Sequence, residues 1–152
     1  MIEIERKFLV KADLWQPSGN GTKIIQGYLS VDAERVVRVR IAGESSYITI
    51  KGKPKGIVRT ELEYEIPKNE AEVLMKMCLD FPVEKTRYIE RIGNVNWEID
   101  IFEGENKGLV LAEIELIDEN QKIDLPEWIG EEVSLDKRHF NSWLSANPYT
   151  TW

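Results

Sequence analysis

Val36-Val37-Arg38-Val39-Arg40-Ile41-Ala42, then Gly43-Glu44-Ser45, then Ser46-Tyr47-Ile48-Thr49-Ile50-Lys51 is the stretch that decides the fold. Side chains along a strand alternate between two faces. Arg38 and Arg40 therefore share one face, and Val37, Val39 and Ile41 the other. Thr49 and Lys51 oppose Ile48 and Ile50 in the same way. The short Gly-led connector demands an antiparallel hairpin, because a parallel crossover needs a dozen residues or more.

The same alternation runs outward in both directions. Ile2–Val10, Lys23–Val31, Ile57–Ile66, Val83–Ile92, Val95–Phe102 and Leu109–Ile117 are rich in β-branched and aromatic residues and are bounded by turn residues such as Gly93-Asn94. With the central hairpin they make eight expected strands. One helix interrupts them: Asn69 followed by Glu72 resembles a capping arrangement, and Ala71, Leu74, Met75 and Cys78 form one apolar stripe. Met75, Met77 and Cys78 are thus expected in the core. A second helix is expected from a Ser134 cap through Phe140, Trp143 and Leu144, ending before Pro148, with His139 a packing or surface residue.

At 152 residues the chain suits a single domain spanning 1–152. Twenty basic against 27 acidic residues give a net charge of −7, which argues against a non-specific binder of nucleic acid or acidic membranes. The single Cys78 rules out a disulfide framework or a cysteine-cluster metal site. The charged start Glu3 to Lys7 does not read as a signal peptide, and no apolar run approaches the ~20 residues of a membrane helix. A cytoplasmic protein is expected.

The charges fall on one face of nearly every strand. Glu3, Glu5 and Lys7 stand together, as do Arg59, Glu61, Glu63 and Glu65, then Lys85 and Arg87, Glu98 and Asp100, Glu113 and Glu115. A merely solvated face would mix in Ser, Thr, Asn and Gln. Like charges at i, i+2 repel unless opposite charge lies between them, so the acid pairs call for a multivalent cation and the base pairs for a polyanion. The expected fold is mainly β (α+β): an eight-stranded antiparallel closed barrel, a tunnel with a charged lumen, an apolar exterior and a few flanking helices. The apolar exterior calls for covering helices and a second subunit, so a homodimer is expected. Oxygen ligands without His or Cys suit Mg2+ or Mn2+, and the Arg/Lys set suits phosphates. No Gly-x-x-x-x-Gly-Lys-Ser/Thr loop and no nucleophilic triad is present.

Glu3-Ile4-Glu5-Arg6-Lys7 resembles the Glu-x-Glu-x-Lys signature of the CYTH superfamily, the triphosphate tunnel metalloenzymes. The likeness continues in order through Arg38-Val39-Arg40, Thr49-Ile50-Lys51, Glu61-Leu62-Glu63, Lys85-Thr86-Arg87, Trp97 to Phe102 with Asp100, and Gly108-Leu109 to Glu113-Ile114-Glu115. The resemblance implies a tunnel binding a linear triphosphate with divalent metal, Mg2+ or Mn2+. It implies hydrolysis of the terminal phosphoanhydride, with inorganic tripolyphosphate the expected substrate. It places metal on Glu3, Glu5, Glu113, Glu115 and Asp100. Phosphates fall to Lys7, Arg38, Arg40, Lys51, Arg59, Lys85 and Arg87, and the chemistry to Glu5, Lys7, Glu61, Glu63, Lys85 and Tyr28. Two of these stay open: Arg59 either binds phosphate or balances glutamates, and Tyr28 either faces substrate or packs. Glu98 has the right parity but no assigned role. The rival readings are a class IV adenylyl cyclase, for which only Tyr28 and Tyr47 share the inward face, and a non-catalytic polyphosphate or nucleotide sensor. The expected partner is a small polyphosphate, with no nucleic-acid polymer and no membrane.

Overall fold

The computed structural model describes all residues, 1–152. It contains nine strands: β1 (Ile2–Val10), β2 (Thr22–Asp32), β3 (Arg35–Ala42), β4 (Ser45–Gly52), β5 (Val58–Glu65), β6 (Leu79–Ile92), β7 (Val95–Phe102), β8 (Val110–Glu115) and β9 (Ile129–Glu132). Two short helices join them, α1 (Lys68–Met75) and α2 (Asn141–Leu144). The sheet runs β5-β4-β3-β2-β6-β7-β8-β1-β9, and β1 also pairs with β5 through Glu3 opposite Arg59. That pairing closes an eight-stranded antiparallel barrel, as the alternation predicts. Every expected strand is present within a few residues.

The ninth strand was not expected. β9 is short and lies on the same edge of β1 that β5 uses nearer the N-terminus. Between the two ladders, the Lys7 amide donates to Ser134 Oγ at 3.0 Å, and the Val133 amide donates to the Lys7 carbonyl. Ser134 therefore completes the barrel seam and caps no helix. The expected continuous C-terminal helix is instead a 3-10 turn over Lys137–His139, a break at Phe140, and the four-residue α2. Asp136, not Ser134, accepts the capping bond from the Arg138 amide. α1 likewise lacks its expected side-chain cap, and Pro67 stands at its N-terminus.

Because the barrel is polar inside, its main core lies outside the wall. Phe8, Trp97, Ile99, Ala112 and Ile114 project from β1, β7 and β8 and are roofed by Trp15 and Trp128. The rings of Phe8 and Trp97, and of Trp97 and Trp128, meet edge to face, the geometry aromatic quadrupoles prefer. The roof is irregular chain rather than the helix expected there. α1 covers the other side of the barrel. Gly27 on β2 leaves room for it: a Cβ there would fall 2.7 Å from Cys78 Sγ and 3.0 Å from Met75 Sδ. Met75 and Cys78 thus pack as expected, whereas Met77 is exposed.

One end of the lumen is not charged. Inward positions Val83, Phe102 and Leu111 are apolar there, and Leu144 of α2 packs against them with Leu109 and Val133. This cluster makes a floor, and the charged lumen above it is a chamber closed on that side.

Candidate active site

The chamber holds a cavity of about 250 Å3. Its wall carries seven cations (Lys7, Arg38, Arg40, Lys51, Arg59, Lys85 and Arg87) and seven carboxylates (Glu3, Glu5, Glu61, Glu63, Glu98, Glu113 and Glu115). Strand alternation brings every one of them inward. Tyr28 lines the same chamber, but Tyr47 does not; the other aromatic in the wall is Phe140. Glu65, grouped with these carboxylates by parity, lies outside the chamber and is exposed.

Most cations are tied to acids. Lys51 Nζ donates to both oxygens of Glu3, at 3.0 and 3.2 Å, and lies 3.3 Å from Glu61. Arg38 donates to Thr49 Oγ1 at 3.0 Å and reaches Glu63 at 3.4 Å, while its buried Nε has no partner. Lys7 Nζ donates to the His139 carbonyl at 3.1 Å, sits 3.6 Å from Glu113, and lies over the Phe140 ring. Arg59 Nε donates to the Gly52 carbonyl at 2.6 Å and forms no ion pair. Arg40 also forms no ion pair; its Nε donates to Gln26 Oε1 at 2.9 Å. Buried among other cations, Arg40 is pushed down to about 10 by desolvation and by Arg38 and Arg87.

Asp100 is fully buried and wholly committed. It accepts from Arg87 Nε at 2.7 Å and Nη2 at 2.8 Å, and Lys85 Nζ stands 2.8 Å away. Burial drives the Lys85 ammonium down to about 7, helped by Arg87 and Arg40, even though Asp100 opposes the shift. Arg87 also donates to Glu98 at 2.8 Å. This gives Glu98 a partner that its position outside the motif did not suggest.

The remaining acids are crowded. Burial, and then the charge of Glu113, push Glu5 well above the usual carboxylate range. Burial also penalises the Glu113 charge, but Lys7, Arg87 and Lys85 overcome it and hold Glu113 well below that range. Glu3 is raised by burial and by a hydrogen bond shared with Glu61. Acid pairs pressed together in this way hold a proton or a cation between them. No three carboxylates stand as a ready-made cage for a metal. The donor set still fits Mg2+ or Mn2+, since Mg2+ is usually held by one or two carboxylates with substrate phosphates and water completing its shell.

Three contributors carry no charge and escaped the sequence reading, which searched for ionisable residues. Gln26 and Asn141 link Arg40 to Lys85, and Ser134 lines the chamber where it patches the seam. Gln26 shares the inward parity of Tyr28, which was the available signal. Phe140 and Asn141 stand at the start of the short α2, where no strand parity marks them.

A CYTH domain model matches residues 1–142. The chain is 47% identical over 148 residues to an inorganic triphosphatase of Acetivibrio thermocellus, covering 97% of this chain and 95% of that protein. It is 36% identical over 153 residues to an inorganic triphosphatase of Nitrosomonas europaea, covering 97% and 99%. A solved inorganic triphosphatase structure superimposes with a TM-score of 0.66 at 35% identity, over 94% of this chain and 93% of that one.

Proposed function

The chain belongs to the CYTH domain family, and from that premise we propose that it hydrolyses the terminal phosphoanhydride of a linear triphosphate, inorganic tripolyphosphate foremost. The observation that carries this reading is one chamber, floored at one end and walled by cations and carboxylates in equal number, with guanidinium nitrogens of Arg40 and Arg38 left unengaged. Such a wall suits a bare polyanion accompanied by a divalent cation. It offers no platform for a nucleobase, because only Tyr28 and Phe140 present aromatic rings, and Phe140 already covers Lys7. This favours hydrolysis over cyclisation of ATP.

Arg38, Arg40, Lys51, Lys7, Lys85 and Arg87 grip the phosphates in this reading, with bidentate contacts from the arginines. Arg59, free of any carboxylate, joins them. Glu3, Glu5, Glu113 and Glu115 would hold the metal, Mg2+ or Mn2+, which would supply charge neutralisation on the phosphates and a more acidic water. Asp100 was expected with them. Its oxygens are instead taken up by Arg87 and Lys85, so we assign it to fixing those two cations. Glu61 and Glu63 set Lys51 and Arg38 and would hold the attacking water in this reading. Phosphoryl transfer asks mainly for positioning and charge stabilisation, and prearranged charged groups supply both with little reorganisation. Lys85 and Tyr28 both line the chamber, and in this reading they would donate to the departing pyrophosphate.

No helix is long and apolar enough to cross a membrane. Val73, Met77, Leu79 and Phe81 leave apolar surface exposed around α1 and the start of β6, and we assign that surface to a homodimer contact that analytical ultracentrifugation tests. The activity is tested by phosphate release from tripolyphosphate, ATP, thiamine triphosphate and pyrophosphate, each with Mg2+ or Mn2+. Turnover fastest on tripolyphosphate is expected; cyclic AMP from ATP overturns the reading.

A further inference from the structure

Gln26 is a fully buried neutral side chain that meets the charged wall through Arg40. Its Oε1 accepts from Arg40 Nε at 2.9 Å. Its Nε2 donates to Tyr28 Oη and to Asn141 Oδ1, each at 3.1 Å. Asn141 Oδ1 also accepts from Lys85 Nζ at 2.9 Å. The direction of this chain is fixed at both ends. Arg40 Nε and the Lys85 ammonium have only protons to give, so Gln26 must turn its oxygen to one and Asn141 its oxygen to the other. The Gln26 amide nitrogen then faces two acceptors. One is the Tyr28 phenol oxygen, whose own proton is left for a partner in the chamber. The register of β2 shifts on both sides of Tyr28, against β3 and against β6, as happens where a strand re-aims a side chain.

A carboxylate at position 26 would make the same contact to Arg40 but would neutralise it. An apolar residue of that size would leave Arg40 Nε without an acceptor. The amide alone orients the guanidinium and leaves its full charge for the ligand. We propose that Gln26 is a positioning residue that aims Arg40, Tyr28 and, through Asn141, Lys85 at a bound polyphosphate while keeping Arg40 free of a counter-charge. This inference rests on the triphosphatase reading for its catalytic part; its binding part stands on Arg40 alone.

The test is a double-mutant cycle in the intact chain. Tripolyphosphate binding is measured by calorimetry without divalent cation, and turnover separately with Mg2+. Gln26→Glu is expected to weaken binding roughly tenfold, the scale of one charge-assisted phosphate contact. In an Arg40→Ala background the same change is expected to cost less than about twofold. Gln26→Met, of similar volume, is expected to lower kcat/KM roughly tenfold with the same dependence on Arg40, and it decides the matter if the glutamate variant does not fold. Wild-type binding by Gln26→Glu, or an equal loss in both backgrounds, overturns the proposal, because a purely structural residue would act without regard to Arg40. Wild-type chain that binds tripolyphosphate but releases no phosphate overturns the triphosphatase reading, and the binding arm then still decides the role of Gln26.

Discussion

Asp100→Asn removes one charge from the most enclosed ion cluster without changing its shape. The native carboxylate takes two bonds from Arg87 and pairs with Lys85, all within 2.8 Å. Asparagine keeps one acceptor oxygen and turns an amide donor toward groups that can only donate. Removing one partner of a buried pair costs about 3–5 kcal/mol. At roughly 2–4 °C per kcal/mol for a chain of this size, the thermal midpoint should fall by about 6–20 °C. The lower part of that range is expected, because Arg87 keeps Glu98 and Lys85 can shed its proton.

The loss should also depend on pH with a definite sign. Burial works against the Asp100 charge, but Lys85 and Arg87 hold its folded pKa below the ordinary 3.8. Its contribution is therefore present above that value and lost as pH falls through the folded pKa. Lys85 is charged only below about 7, so its share of the pairing fades above that. Scanning calorimetry of wild type and Asp100→Asn should show the widest gap between about pH 4 and 7, narrowing on either side. A midpoint within about 2 °C of wild type at pH 6 would refute the reasoning, and so would a gap that does not vary with pH.

Glu113→Gln should lower metal-dependent turnover by on the order of a hundredfold or more while circular dichroism stays native, and Glu115→Ala should do the same; wild-type rates in Mg2+ would remove both from the metal site. Arg40→Ala should lose about 10–100-fold in kcat/KM on tripolyphosphate, and Arg40→Lys should recover only part, since the planar fork is gone. ATP should be turned over more slowly than tripolyphosphate, with chromatography showing no cyclic AMP. Chelation by EDTA should stop phosphate release, and added Mg2+ or Mn2+ should restore it; turnover persisting in EDTA would refute metal dependence.

Strand parity made the barrel and its lining legible. Arg38 and Arg40 between valines, or Glu113 and Glu115 between Ala112, Ile114 and Leu116, set one wholly ionisable face against one apolar face, and the scarcity of neutral polar residues on the charged face pointed it inward. What covers the outside was not legible. Trp15 and Trp128 reach the Phe8–Trp97 face from irregular chain, and a loop that covers a sheet has no period to read. β9 failed for a related reason: four residues around Gly130 are too few to show alternation, and their pairing depends on an edge of β1 that only closure leaves free. The C-terminal segment was misread because Phe140, Trp143 and Leu144 have helical spacing. Their spacing instead serves two tasks, with Phe140 over Lys7 and Leu144 in the floor. The motif marks Asp100 but not its neighbours; the side-chain positions add that it accepts from Arg87 and pairs with Lys85.

The balance of charge in the chamber bears on how ligands enter. Seven cations face seven carboxylates in the wall, so a tripolyphosphate carrying several negative charges is expected to bind the chamber less tightly alone than with a divalent cation beside it. The anion can displace carboxylates from Lys51, Arg38 and Arg87, but those acids would then be buried without partners, which is costly. In the proposed reading a divalent cation would remove the difficulty by taking up the displaced Glu3 and Glu113, together with the neighbouring Glu5, as the phosphates take up the bases. The two ligands thus each complete what the other breaks, and their affinities must be coupled reciprocally. In the proposed reading Glu3 and Glu113, which line the chamber, would become ligands as the substrate draws Lys51 and Arg87 away, whereas Asp100, which does not line it, stays with its cations.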